Sequence, residues 1–126
     1  MKKGKIVTND VKMEMHEWVT VEFLMDYGHD IELIRKSNKY GVHTPNICMD
    51  KLFWEMKAPK GEGKSLMKNT LQKAVRQSEN VIIDLRRVKR HQMKCLAEIK
   101  REFDNSRSIK RIKIITKSGK MIELSR

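Results

Sequence analysis

Two oppositely charged residues, Glu55 and Lys57, stand two positions apart in the segment LFWEMK (52–57). The segment is typical of a short β-strand, in which side chains two positions apart project from the same face. A carboxylate beside an ammonium group suits phosphodiester hydrolysis. The carboxylate can bind a divalent cation, while the amine orients the attacking water or stabilises the transition state. The same pair is also an ordinary ion pair of a sheet surface, so its spacing alone does not decide the function.

The residues before this strand suggest a third member of the cluster. Another short apolar segment ends just before residues 50–51, which predicts a hairpin with a two-residue loop. In that register Asn46 faces Glu55, with Cβ atoms about 5 Å apart. Asn46, Glu55 and Lys57 would then converge at the open end of the hairpin. The backbone carbonyl of Met56 lies between them in sequence and could serve as another oxygen ligand.

One α/β fold is predicted to position these residues. The opposite face of the hairpin carries Ile47, Trp54 and Met56 and is expected in the core. The periodicity predicts a helix over 11–27 capped by Asn9-Asp10, strands over 30–34, 46–49 and 52–57, a flexible basic loop over 58–64, a helix over 65–78, a buried strand over 80–85, a helix over 90–103, and a hairpin over 111–124 that turns at Ser118-Gly119. The expected architecture is a single domain over 1–126, with the order α-β-β-β-α-β-α-β-β and a mixed sheet flanked by helices.

The charge distribution suggests the class of partner. The net charge is +12, and residues 64–126 carry all of it, with 18 Lys or Arg against 6 Asp or Glu. A polyanion is the natural partner of such a field, and nucleic acid is the most common one. No apolar run approaches the roughly 18 residues of a membrane span, so no membrane partner is expected. The two cysteines form no metal-binding motif, and the four histidines, which lack metal-ligand spacing, are expected to be surface or local hydrogen-bonding residues.

Several motifs in fixed order resemble a known nuclease family. TPN (44–46) is followed by WEMKAPKG (54–61) and then by LQKAVRQSENVIIDL (71–85). This order is similar to the PD-(D/E)xK nuclease superfamily, and more closely to the C-terminal tRNase toxin domain of contact-dependent growth-inhibition (CdiA-type) proteins. HEWVTVEFLMDYGHDIELI (16–34) extends the resemblance upstream, and the basic C-terminal third fits loosely. The resemblance implies a restriction-endonuclease-like sheet, Mg²⁺ or Mn²⁺ as cofactor, and action on RNA.

The resemblance also implies roles for individual residues. Glu55 would be the principal metal-binding carboxylate, assisted by the Met56 carbonyl, and Lys57 would be the catalytic lysine. Glu17, on the first helix, would be an auxiliary acid near the metal or its water. Gln77, on the helix after the site, would steady the phosphate or Lys57. Without the resemblance, Glu17 reads as an ordinary residue of a first helical turn, favoured there by the helix dipole.

Asn46 departs from the family pattern, which has a metal-binding aspartate at this position. Asparagine keeps the shape and one carbonyl oxygen but loses the negative charge that holds hard cations. Three explanations stay open. The sequence carries a deliberate inactivating Asp→Asn change, the protein is a nucleic-acid-binding relative without catalysis, or Glu17 and Glu55 hold the metal without an aspartate.

The predicted substrate is a folded RNA, with tRNA favoured and DNA as the alternative. Aromatic residues make up 6% of the chain, which disfavours extensive base stacking on single strands. Asp84 is expected to end a strand and to bind backbone or a basic neighbour. The basic residues expected to follow a phosphate backbone are Lys60, Lys64, Arg86, Arg87, Lys89 and Arg90.

Two functional classes are therefore carried forward. The first is a metal-dependent endonuclease acting in the cytoplasm, with the chain as the C-terminal part of a secreted toxin and an immunity protein as partner. The second is a non-catalytic nucleic-acid-binding module on the same fold.

Overall fold

The computed structural model describes residues 2–37 and 39–126, which form one mixed seven-stranded sheet with three helices. The sheet order is the chain order, β1 to β7. Parallel pairs are β1–β2, β4–β5 and β5–β6, and the other pairs are antiparallel. The elements are β1 (Ile6–Val7), α1 (Met15–Asp26), β2 (Ile31–Leu33), β3 (Ile47–Met49), β4 (Leu52–Lys57), α2 (Leu66–Ala74), β5 (Asn80–Asp84), α3 (Gln92–Asn105), β6 (Arg111–Ile115) and β7 (Met121–Ser125).

The sheet is covered on both faces, and β5 contributes to both apolar layers. Val81 and Ile83 project into one layer and Ile82 into the other, because side chains alternate along a strand. All five residues of β5 are buried, which explains the uninterrupted apolar run that predicted a central strand. The layer against α1 includes Val21, Leu24, Ile47, Trp54, Met56 and Ile82, and the layer against α2 and α3 includes Met67, Leu71, Val81, Ile83, Ile99 and Ile112.

The hairpin of β3 and β4 has the register that the sequence predicts. Ile47 pairs with Trp54, and the ladder ends where Met49 pairs with Leu52. Residues 50 and 51 form a two-residue loop, and both have positive φ angles of 54° and 66°. Such a loop matches the right-handed twist of the flanking strands, although neither residue is glycine. The predicted mixed α/β sheet flanked by helices is confirmed.

Some predicted element boundaries are wrong. The prediction omitted β1, which is only two residues long, so the observed order begins with a strand. Asn9-Asp10 is a turn with φ angles of 50° and 58° and does not cap a helix. The first helix begins at Met15 after Glu14, whose N–H donates to Glu17 Oε1 at 3.1 Å. Gln77 follows α2 and is not part of it. None of the helices in residues 2–37 and 39–126 is long and apolar enough to cross a bilayer.

Candidate active site

Glu55 and Lys57 project from the same face of β4 and form an ion pair in a cavity. Lys57 Nζ lies 3.0 Å from Glu55 Oε2 and donates to Gln77 Oε1 at 2.9 Å. Gln77 Nε2 in turn donates to the carbonyl of Thr44 at 3.3 Å, which sets the orientation of the Gln77 amide. The lysine ammonium is therefore held between a carboxylate and an amide oxygen. This places Glu55, Lys57 and Gln77 together, as the sequence predicts.

Asn46 lies at the open end of the hairpin and binds the backbone of β4. Its Oδ1 accepts from the Met56 N–H at 2.8 Å, and its Nδ2 donates to the Met56 carbonyl at 3.4 Å. One carboxamide thus bonds both the donor and the acceptor of a single residue. Asn46 therefore lies at the open end of the hairpin with Glu55, as the register predicts, and binds the residue that follows Glu55. No sequence pattern indicates that the Asn46 side chain also binds the Met56 carbonyl.

The cavity has a volume of about 340 Å³ and lies between the start of α1, the end of β4 and α2. Glu17 and Thr20 of α1 lie in its wall, so the structure brings Glu17 to the predicted site. Polar residues dominate the lining, which suits a charged ligand better than an apolar one. The cavity is lined by Glu14, His16, Glu17, Thr20, Lys36, Asn46, Glu55, Met56, Lys57, Ala58, Pro59, Thr70, Lys73 and Gln77.

The Glu55 carboxylate lies in the cavity and is buried. Its residue is 3% exposed, and burial raises the pKa of Glu55 above its ordinary value. The Lys57 ammonium, the Asn46 backbone N–H and the Lys36 ammonium act in the opposite direction. Glu55 Oε1 is buried and has no hydrogen-bond partner within the described residues. A buried oxygen without a partner is uncommon in native proteins and calls for a ligand, a water or an ion.

The residues present fit a divalent cation only in part. Glu55 Oε1 and the Met56 carbonyl oxygen are the hard oxygen donors that Mg²⁺ requires. The Asn46 oxygen already accepts from a backbone N–H, and its nitrogen faces the Met56 carbonyl. No group of three His, Cys, Asp or Glu side chains with metal-binding geometry occurs within residues 2–37 and 39–126. Glu17, which lines the wall of the cavity, is another carboxylate near this site.

A second polar network joins α1 to the end of β5 beside the cavity. Asp84 accepts from Arg86 at 2.9 Å and 2.7 Å and from the Thr20 hydroxyl at 2.8 Å. Arg86 also donates to the Val19 carbonyl at 3.1 Å. Burial alone would raise the pKa of Asp84, but the Arg86 guanidinium, the Arg86 backbone N–H and the Thr20 hydroxyl together lower it. We call Thr20, Asp84 and Arg86 the helix anchor.

The helix anchor revises one prediction and supports another. Asp84 ends β5 and binds a basic neighbour, as expected. Arg86 was predicted to contact phosphate, but its guanidinium is directed at Asp84 and α1. This orientation of Arg86 requires α1 to pack against the end of β5, where Asp84 is 64 residues from Thr20 in the sequence. No local pattern in the sequence indicates this packing.

The basic loop after β4 is held against the segment after β5. Gly61 pairs with Val88 in a short parallel bridge, and the Lys89 N–H donates to the Gly61 carbonyl at 2.8 Å. Arg90 donates to the carbonyls of Gly63 and Lys64 at 3.2 Å and 2.9 Å. The prediction of a freely flexible loop over 58–64 is therefore corrected, because backbone bonds tie it down. Arg90 has internal partners, and any contact with phosphate stays a prediction.

The four other basic residues predicted to bind nucleic acid are all exposed on these two tied segments. Lys60 and Lys64 lie on the loop, and Arg87 and Lys89 lie on the segment after β5. We call these four residues the basic surface. The bridge at Gly61 brings its two halves together beside the cavity, since Ala58 and Pro59 of the same loop line the cavity.

The structure adds cavity residues that the sequence did not single out. His16, predicted to be a surface or local hydrogen-bonding residue, lines the cavity, and its Nδ1 lies 3.3 Å from Glu14 Oε2. Lys36 and Lys73 line the same cavity from the loop after β2 and from α2. The position of His16 directly before Glu17 was the one available signal. Nothing in the sequence places Lys36 or Lys73 near Glu55, because long-range packing brings them there.

The fold and the site define an α/β domain with a buried Glu–Lys pair at the edge of a basic surface. A family model for the contact-dependent growth inhibition CdiA C-terminal domain matches residues 43–121, which is more than half of the chain. The chain therefore belongs to the CdiA C-terminal domain family.

A solved structure agrees with this assignment at the level of the fold. It is the "CdiA-CT/CdiI toxin and immunity complex from Burkholderia pseudomallei", with a TM-score of 0.69 and 14% sequence identity. The match covers 98% of this chain and 100% of that chain. At this identity the likeness shows the fold alone. A search of curated protein sequences gave no significant match.

Proposed function

We propose that the chain is a toxin domain of the nuclease type, acting on the phosphodiester backbone of nucleic acid. The observation that carries the proposal is the Glu55–Lys57–Gln77 arrangement, in which a buried carboxylate, with one oxygen unpartnered among the described residues, stands beside a fixed ammonium group. Membership of the CdiA C-terminal domain family supports a toxin. The assignment to the PD-(D/E)xK superfamily is part of the proposal and rests on the order of the motifs.

Each residue has a chemical task in this proposal. Lys57 carries a positive charge at the cavity, where it can orient an attacking water and stabilise charge on the phosphate. Gln77 acts as a positioning residue, because its amide oxygen receives the Lys57 ammonium while its nitrogen is held by the Thr44 carbonyl. Glu17 lies in the wall of the cavity as the auxiliary acid. Glu55 supplies the carboxylate that would hold Mg²⁺ or Mn²⁺ in an aspartate form of the site.

The basic surface supports a polyanionic substrate, and we propose a folded RNA, with tRNA favoured. Four exposed basic side chains are brought together by the Gly61–Val88 bridge next to the cavity. Contacts of this kind follow the sugar-phosphate backbone and its shape, without reading bases. A DNA substrate is the alternative within the same class, because the backbone contacts do not distinguish the two.

The second candidate function is a non-catalytic nucleic-acid-binding module. The Asn46–Met56 contact favours it, since the amide binds both the N–H and the carbonyl of Met56, the residue after Glu55. In this reading the basic surface still binds nucleic acid and the cavity performs no hydrolysis. The two candidates differ in what happens when residue 46 becomes an acid.

We also propose an immunity protein as partner, cytoplasmic action, and delivery as part of a secreted toxin. The structurally similar Burkholderia pseudomallei chain comes from a toxin and immunity complex. The family is defined by the C-terminal domain of a contact-dependent growth inhibition protein.

The deciding experiment compares the chain with its Asn46→Asp variant on tRNA and on plasmid DNA. Each protein is incubated with Mg²⁺, with Mn²⁺ and with a chelator, and products are resolved by gel. The nuclease proposal expects cleavage by Asn46→Asp with metal, loss of cleavage with chelator, and loss in Asn46→Asp/Glu55→Gln. If Asn46→Asp cleaves neither substrate and only binds it in a salt-sensitive manner, the nuclease reading is overturned and the binding module stands.

A further inference from the structure

The Asn46 carboxamide is held in one orientation by the Met56 peptide group. The Met56 N–H must donate, so the oxygen of the amide faces it at 2.8 Å, and the nitrogen is left facing the Met56 carbonyl at 3.4 Å. Rotating the amide by half a turn would set two donors against each other and two acceptors against each other. The orientation of the amide therefore follows from the backbone, and an N–H group points at the Met56 carbonyl.

Two oxygen atoms of β4 close to that N–H group are of the kind that binds a cation. The Met56 carbonyl oxygen follows Glu55 on the same strand. Glu55 Oε1 is buried without a partner among the described residues, and its residue is 3% exposed. Acidic oxygens and a carbonyl oxygen are the donors that hard divalent ions prefer. A cation placed against the Asn46 NH₂ group would meet partial positive charge in place of a lone pair.

We infer that the Asn46 amide prevents divalent cations from binding at this site. Its N–H group donates to the Met56 carbonyl oxygen and so takes the place that a metal ion would otherwise occupy. The domain then folds completely without metal, and its cavity keeps the Glu55–Lys57 pair but accepts no cation. Replacing one nitrogen by oxygen, as in Asn46→Asp, opens the site. Cation exclusion stands on the geometry alone, whereas its consequence for catalysis rests on the proposed nuclease function.

The structure predicts what the aspartate would do without metal. Its second oxygen would face the Met56 carbonyl oxygen with no hydrogen between them. It would also add a negative charge beside the buried Glu55 carboxylate. Both contacts are repulsive in a poorly solvated cavity, and a bound cation would relieve both. The Asn46→Asp protein should therefore be less stable than the parent in chelator and should be stabilised by metal.

The test is thermal unfolding with EDTA and with MgCl₂, MnCl₂ or CaCl₂, on the parent and four variants. The parent should show the same melting temperature in all buffers, within about 1 °C, since a ligand that does not bind cannot stabilise. Asn46→Asp should melt lower in EDTA and rise by about 5–10 °C when the cation reaches 100 times its dissociation constant. The double variant Asn46→Asp/Glu55→Gln should lose this rise. The matched control is Asn80→Asp, since Asn80 Nδ2 also donates to a backbone carbonyl, that of Phe53, away from the cavity.

The other outcomes each overturn or support the inference. If cations stabilise the parent as much as Asn46→Asp, the amide does not exclude them from the site. If Asn46→Asp shows no rise, or shows one equal to that of Asn80→Asp, no cation site exists behind the amide. Folding of Asn46→Asp only in the presence of cation would be the strongest supporting result. Failure to fold in every buffer, while Asn46→Ala folds, would count against the inference, because the cation should rescue the carboxylate. Cation binding by Asn46→Asp without any cleavage would keep the inference and overturn the proposed nuclease.

Discussion

Replacing Arg86 with alanine should destabilise the domain by about 3 kcal/mol, far more than usual for a basic residue on the surface. The guanidinium makes two hydrogen bonds to Asp84 and one to the Val19 carbonyl, and it lies 4.9 Å from the centre of the Phe23 ring. Removing one partner of a buried ion pair costs about 3–5 kcal/mol. The Arg86 side chain is 29% exposed, so water can partly solvate Asp84 in the variant, and we expect the lower end of that range. For a domain of this size, the melting temperature should fall by about 10 °C.

The assay is urea unfolding of the parent, Arg86→Ala and the matched control Arg87→Ala at pH 7 and at lower pH. Arg87 is adjacent and exposed, so its removal should change the free energy of unfolding by no more than about 0.5 kcal/mol. The pH dependence tests the cause. The helix anchor lowers the pKa of Asp84 in the folded state, so its contribution is present above the unfolded pKa of about 3.9 and is lost as pH falls. The difference in the free energy of unfolding between the parent and Arg86→Ala should therefore become smaller below about pH 4.

Two results would refute this reasoning. If Arg86→Ala and Arg87→Ala are equally stable, the helix anchor contributes nothing to the fold. If Arg86→Ala lowers the free energy of unfolding by the same large amount at pH 7 and pH 3, the lost stability comes from packing against Phe23 and not from the Asp84 carboxylate.

Two further predictions concern the cavity and the basic surface. Burial raises the pKa of Glu55, so the folded protein loses stability as pH rises through that pKa. At pH 7, Glu55→Gln should therefore unfold at a higher urea concentration than the parent. At pH 4 the two proteins should unfold at the same urea concentration. An unchanged difference between the two pH values would contradict the role of the charge. The triple alanine variant of Lys60, Lys64 and Lys89 should lower the slope of log affinity for tRNA against log salt by about 2–3, as measured by filter binding. The control variant replaces three lysines within residues 2–12 with alanine. If that variant lowers the salt slope by the same amount, the basic surface is not the contact with tRNA.

The sequence predicts the hairpin of the site well because that prediction depends on local rules. A two-residue loop and alternating side chains determine which residues face each other, so Asn46 could be placed against Glu55. The buried central strand could also be predicted, since the middle of a strand covered on both faces is apolar. Lys57 and Gln77 could be placed together through the family resemblance.

The remaining features depend on contacts between distant segments. The partner of Arg86 is fixed only when α1 packs on the sheet, and the loop over 58–64 is tied down only when it meets Val88. The two hydrogen bonds from Asn46 go to backbone groups, which carry no sequence signal. A strand of two residues such as β1 is too short to produce a periodic pattern.

The order of the seven strands has a consequence for how the chain acquires its structure. Because each strand pairs with the strand that precedes it in sequence, every pairing closes a loop formed by one connecting segment and crosses no other element. Closing such loops loses less chain entropy than joining distant ends, and topologies with short-range pairings fold faster. Each strand pair can therefore form by closing one connecting segment, and the longest of these closures, between β5 and β6, joins residues 31 positions apart.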